Sequence, residues 1–137
     1  IHLCRGNASS GGIASGGYEP VAEALLGGHD VDGFFLEYDD ARSGDFKPLR
    51  FLPKGKTVVL GLVTTKRAEL EDKELLKRRI NEASKVVPLD QLALSPQCGF
   101  SSGAGGNPSR RRAVSIDQER AKVVRIVETA KEVWGGL

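Results

Sequence analysis

The 137-residue sequence has no methionine and only two cysteines, Cys4 and Cys98. Because it opens on Ile1 rather than on an initiator, it reads as a piece of a longer protein. Two cysteines are too few for a disulfide scaffold, although one bridge between them is open to the chain. No basic stretch followed by an apolar core marks a secretion leader, so the expectation is a cytoplasmic protein whose thiols stay reduced and act as ligands or nucleophiles. No apolar run approaches the ~18–20 residues needed to cross a bilayer, and no membrane association is expected. Charge of one sign is lacking too: 20 basic against 18 acidic side chains leave +2, which argues against a general electrostatic binder of nucleic acid. With 39% apolar and 28% charged residues, the chain has the balance of a folded domain, and 137 residues is about one domain's worth.

What is present is alternation. Short apolar segments at residues 1–5, 32–37, 57–63 and 89–94 read as strands, separated by stretches of helical periodicity. Phe34, Phe35 and Leu36 form a continuous apolar run, which suits a strand buried on both faces. A short helix is expected at 20–26 with Pro20 in its first turn, and a long one at 69–87 with Leu70, Leu75, Leu76, Ile80 and Ala83 on one face. The last helix opens on Ser115 with Gln118, a capping-box pattern, carries Val123, Val124, Val127, Ala130 and Trp134 inward, and stops at Gly135. Residues 38–56 and 99–113 are long loops, and such loops are more often functional. Four βα units in series fit either a small doubly wound sheet or half of a (β/α)8 barrel, which in full needs about 250 residues.

Polar residues collect at the strand ends. His2 and Cys4 are two apart on a strand and share a face. Glu37 ends the second strand, Thr64 and Thr65 follow the third, and Cys98 stands just after the fourth. Active sites of α/β folds are built at that edge. One imidazole, two thiols and one carboxylate suit tetrahedral Zn2+ with an exchangeable oxygen ligand. The bland alternative stands beside it, since a lone cysteine is often a small buried hydrophobe.

The blocks His2-Leu-Cys4-Arg-Gly-Asn7, Gly17-Tyr18-Glu-Pro20, Phe35-Leu-Glu37-Tyr-Asp39-Asp40, Arg42-Ser-Gly44-Asp-Phe46, Val58-Val-Leu-Gly61-Leu-Val-Thr-Thr65-Lys66 and Leu94-Ser-Pro-Gln-Cys98-Gly-Phe100 carry a family resemblance. In their order the chain resembles the C-terminal part of the cobalamin-independent methionine synthases, and more closely their shorter, methionine synthase II-like branch. The resemblance implies an α/β fold: about four βα units forming the C-terminal portion of a TIM barrel of the uroporphyrinogen decarboxylase/methionine synthase type. Residues 1–137 would then be a single, N-terminally truncated part of a methyltransferase domain. It also implies that His2, Cys4, Glu37 and Cys98 bind catalytic zinc. The full-length folate-dependent members carry a histidine after the strand that here ends in Thr64-Thr65-Lys66, and no histidine stands there.

The activity implied is transfer of a methyl group to the thiol of homocysteine, giving methionine, from a methylated pterin (5-methyltetrahydropteroylglutamate) or a methyl-corrinoid protein. Two other readings are an alkyltransferase for another thiol such as coenzyme M, and a non-catalytic metal-binding half barrel. Asp39 and Arg42, on the loop after Glu37, are candidates for substrate contact, with Asp40 and Asp45 beside them. Arg110-Arg111-Arg112 and the glycines of 11–17 read as loop, and His29 as a surface residue. Open barrel edges predict self-association.

Overall fold

The computed structural model describes residues 1–5, 7–8, 11–12, 16–100 and 114–136. The Arg110–112 run and most of the 99–113 loop lie outside them. Strands β1 (His2–Leu3), β4 (Gly33–Glu37), β5 (Thr57–Val63) and β6 (Leu92–Pro96) form one parallel sheet in the order β1-β4-β5-β6. A small antiparallel pair, β2 (Asn7–Ala8) and β3 (Gly11–Gly12), stands apart, in a glycine-rich stretch expected to be loop. Helix α1 (Lys73–Ser84) joins β5 to β6, and α2 (Ile116–Trp134) follows β6. This is four consecutive parallel strands with helical crossovers, as expected of a barrel portion.

The register sorts side chains onto two faces. His2, Phe35, Val59 and Ala93 lie in one row across the sheet, and Glu37, Gly61 and Ser95 in the next. Strand side chains alternate, so these residues share a face, while Phe34, Leu36, Val58, Leu60 and Leu92 are buried on the other. Leu76, Ile80 and Ala83 of α1 are buried at helical spacing in the same core. The run expected to be buried on both faces is therefore buried on one: Phe34 is 0% exposed and Phe35 46%. Phe35 points to the face that carries the candidate site.

Four local readings shift. The strand expected at 89–94 runs Leu92–Pro96, behind a 3-10 turn, Leu89–Gln91. The helix expected at 20–26 is a 3-10 turn, Glu19–Val21, followed by a single π-helical turn, Glu23–Gly27. The expected 69–87 helix starts at Lys73, because Asp72 caps it by accepting from the backbone N–H of Leu75 at 2.7 Å, and Leu70 and Leu75 are left exposed. In α2 the capping box of Ser115 and Gln118 forms, and Gly135 ends the helix at φ 82. Its inward face carries Trp134 as expected, but with Lys122, Ile126, Thr129 and Val133, while Val123 and Val124 are exposed. Both polar residues are satisfied at that face, Lys122 by a partner across the packing and Thr129 by its own helix. Lys122 Nζ pairs with Glu71 at 2.8 Å, and Thr129 Oγ1 donates to the carbonyl of Arg125 at 2.7 Å.

Candidate metal centre

The C-terminal ends of the parallel strands bring together residues nearly a hundred positions apart in the chain. Cys4 directly follows β1, and Cys98 sits in the turn after β6, which is held by the Gln97 N–H donating to the Val63 carbonyl at 2.9 Å. One ring nitrogen of His2 and the Sγ atoms of Cys4 and Cys98 all lie within 4.8 Å of one another. Cys98 Sγ is 3.5 Å from His2 Nε2. Partial burial, and then the neighbouring Cys4 sulfur, push the Cys98 thiol up to about 12. Two adjacent sulfurs and an imidazole form a donor set of the borderline-soft kind that zinc prefers. Binding a cation would offset the cost of ionising the Cys98 thiol.

Glu37, the expected fourth donor, does not join that trio at the same spacing; it falls in a second cluster with Asp39 and Asp40. Its carboxylate is fully buried, and its Oε1 faces three cations: the Arg42 guanidinium, which donates to it directly, Lys66 Nζ at 3.4 Å and Arg5 at 3.9 Å. Among the described residues, the buried Oε2 has no hydrogen-bond partner. Lys66 Nζ also lies 2.9 Å from Asp39 and 3.1 Å from Asp40, so a lysine ammonium fills the space among these three carboxylates. Asp40 in turn accepts from both the backbone N–H and Nε of Arg42 at 3.1 Å. Asp39 and Arg42, the expected substrate contacts, are thus members of an ion network beside the sulfur trio.

Sequence reasoning missed Lys66 and Arg5 as members of this network. Lys66 closes the block that ends in Thr64-Thr65-Lys66, and Arg5 follows Cys4; both positions sit at strand ends, which was the available signal. Arg5 also donates to the Arg42 carbonyl at 3.1 Å and to Ser43 Oγ at 2.5 Å, and stacks over the Tyr18 ring with its guanidinium 5.2 Å from the centroid. His29 is exposed, with Nδ1 3.0 Å from the Leu25 carbonyl, far from the site in the fold. Among the described residues no helix is long and apolar enough to cross a membrane.

Comparison with known proteins agrees with this architecture. Residues 24–122 match the family model described as the cobalamin-independent synthase catalytic domain. Two Bacillus subtilis (strain 168) proteins, the uncharacterized YxjH and YxjG, are 53% and 50% identical over 135 residues. That alignment covers 98% of this chain but 34% of each relative, so the chain spans about a third of the length of the curated relatives it matches. Among solved structures, a putative vitamin-B12 independent methionine synthase from Listeria monocytogenes superposes with a TM-score of 0.60 at 35% identity, over 98% of this chain and 34% of that one. A B12-independent methionine synthase from Shewanella sp. W3-18-1, solved in complex with selenomethionine, shares the fold with a TM-score of 0.68 at 22% identity, over 86% of this chain and 30% of that one.

Proposed function

This chain belongs to the cobalamin-independent methionine synthase family, and we propose that residues 1–137 form one part of a barrel domain that carries the zinc site of a thiol methyltransferase. The acceptor is homocysteine, giving methionine, and the donor a methylated pterin or a methyl-corrinoid protein. One observation carries this reading: the convergence of His2, Cys4 and Cys98 within 4.8 Å. Their donor chemistry fits zinc, and the unpartnered, buried Oε2 of Glu37 supplies the kind of oxygen a fourth position needs.

When bound, zinc would keep an incoming thiol ionised near neutral pH, so that it can act as a nucleophile. The remaining work falls to the chain itself. His2, Cys4 and Cys98 would hold the ion at the strand ends, with Glu37 as an exchangeable oxygen donor, and the Arg42, Lys66 and Arg5 network keeps that carboxylate in place. The sulfur of the acceptor forms the new bond to the methyl carbon as the bond from that carbon to the donor breaks, and the thiol proton leaves to solvent.

Metal analysis of the purified chain, with X-ray absorption to count sulfur ligands, tests the reading. We expect one zinc per chain with two sulfurs, rising to three when homocysteine is added. Zinc should raise the melting temperature and chelation lower it, because the assembled site binds the ion more tightly than the unfolded chain does. Cys98→Ser should lose the metal; unchanged stoichiometry in that variant, or no thermal shift on chelation, discards the assignment. A third sulfur gained with coenzyme M but not with homocysteine would move the acceptor to another thiol.

A further inference from the structure

The two oxygens of the Glu37 carboxylate have opposite surroundings. Oε1 meets Arg42, Lys66 and Arg5, and the buried Oε2 meets no donor among the described residues. The side chain has little freedom to exchange them. Both backbone polar groups of Glu37 are tied to the Tyr18 hydroxyl, and Arg42 and Lys66 are themselves tied to Asp40 and, for Lys66, to Asp39. The network balances as a unit: Glu37, Asp39 and Asp40 face Arg5, Arg42 and Lys66. A buried carboxylate left without a counter-charge is heavily penalised, whereas one that keeps charge-assisted hydrogen bonds is not. A ligand must be able to leave the fourth position of such a site for a substrate to enter. The cost of Glu37 leaving is set by what remains on Oε1.

Resting on the zinc reading above, we infer that Arg42 and Lys66 are positioning residues: they anchor Glu37 by Oε1, so that Oε2 serves as a single, releasable metal ligand and an incoming thiol displaces it without stranding a buried anion. Their effect on thiol entry is exerted through Glu37 alone.

The test uses the 137-residue chain loaded with Co2+, whose sulfur-to-metal charge-transfer band counts thiolates, titrated with 2-mercaptoethanol as a thiol that asks nothing of an amino-acid pocket. The band in the thiol-free wild type checks the metal reading separately; its absence brings down that reading and this inference with it. With the band present, Arg42→Gln and Lys66→Gln should each weaken binding of the added thiol about tenfold, and Arg42→Lys should restore most of the loss. In a Glu37→Gln background the same two substitutions should have no further effect on thiol binding. Glu37→Gln alone, which needs neither cation replaced, should bind the thiol about tenfold more tightly. Thiol affinity within twofold of wild type in Arg42→Gln and Lys66→Gln overturns the inference. So does a loss that persists in the Glu37→Gln background, or an unchanged affinity in Glu37→Gln itself.

Discussion

The Tyr18 hydroxyl bonds both backbone groups of Glu37, accepting from its N–H at 2.9 Å and donating to its carbonyl at 3.1 Å. Strand β1 ends at Leu3, opposite Leu36, so among the described residues the edge of β4 at Glu37 has no strand partner on that side. A side-chain hydroxyl takes the place of the missing ladder. Tyr18→Phe removes both bonds and leaves two buried backbone groups unpaired, at about 1–3 kcal/mol for each such group where water cannot replace the partner. We expect a loss of about 2–3 kcal/mol in urea unfolding, together with weaker zinc binding in a chelator competition, because the frame that holds Glu37 loosens. A variant that unfolds with the wild type would show that Tyr18 only fills space.

The same burial makes stability fall in alkali. The chain has two tyrosines, and both are buried in the core. Burial pushes the Tyr18 phenol up to about 12, and raises Tyr38, stacked on it with ring centroids 5.1 Å apart, further still. Below pH 10 both the folded and the unfolded chain keep these protons, and stability is unaffected. Between about 10 and 12 the unfolded chain gives them up while the folded one retains them. The folded state then binds more protons, so stability falls as pH rises, by about 1.4 kcal/mol per tyrosine for each pH unit in that window. Absorbance at 295 nm should show no phenolate in the folded chain at pH 10.5, and both phenolates at once on unfolding. A tyrosine that titrates near 10 in the folded chain would contradict the packing described for it.

Much of this frame was legible in the sequence. Strand β5 spans the expected residues Thr57–Val63, where β-branched residues cluster, and the Ser115/Gln118 box and Gly135 mark both ends of α2 by local chemistry alone. His2, Cys4 and Cys98 were readable as neighbours because a parallel sheet puts all its C-terminal strand ends on one edge. What periodicity could not show is which face is covered. Phe35 is as apolar as Phe34, and only the placement of helices separates them. In α2, hydropathy pointed to Val123 and Val124, but the Lys122–Glu71 pair places Lys122 on the inward face instead. Lys66 was marked only by its place at a strand end: its ammonium reaches Glu37, Asp39 and Asp40 from a loop, where no repeat fixes direction.

That loop is held from behind by Lys122. Its side chain is fully buried, and Nζ meets both oxygens of Glu71 at 2.8 and 3.0 Å. Glu71 Oε1 also accepts from the backbone N–H of Thr64 at 2.9 Å, and Arg125 donates to the Glu71 carbonyl at 2.8 Å. Removing one partner of such a pair strands the other, which typically costs about 3–5 kcal/mol. Because Glu71 keeps some solvent contact, with its side chain 14% exposed, we expect Lys122→Met to cost about 3 kcal/mol in thermal or urea unfolding. Lys77→Met, which breaks solvent-screened pairs with Glu74 and Glu132, should leave the midpoint almost where it was. Equal effects of the two substitutions would mean that the buried pair does not hold the loop.

Gly61 ties sheet geometry to the site most directly. It lies in the row with Glu37 and Ser95, and a β-carbon added there would stand 2.7 Å from the Leu36 carbonyl oxygen and 2.8 Å from Gln97 Cα. Both obstacles are main-chain atoms, so no side-chain rotation relieves the clash: either β4 or the turn after β6 must move. Overpacking of this kind costs about 1–3 kcal/mol. Here the turn that would move carries Cys98, one residue beyond Gln97. Gly61→Ala should therefore lose about 2–3 kcal/mol of stability and also bind zinc more weakly, as read by competition against a chelating dye. Gly99→Ala is the control, since a β-carbon at Gly99, next to Cys98, meets nothing within 4 Å and should leave both readouts near wild type. If Gly61→Ala loses stability but keeps zinc affinity, the sheet and the cysteine turn yield independently, and the Cys98 thiol does not owe its position to the close approach at Gly61.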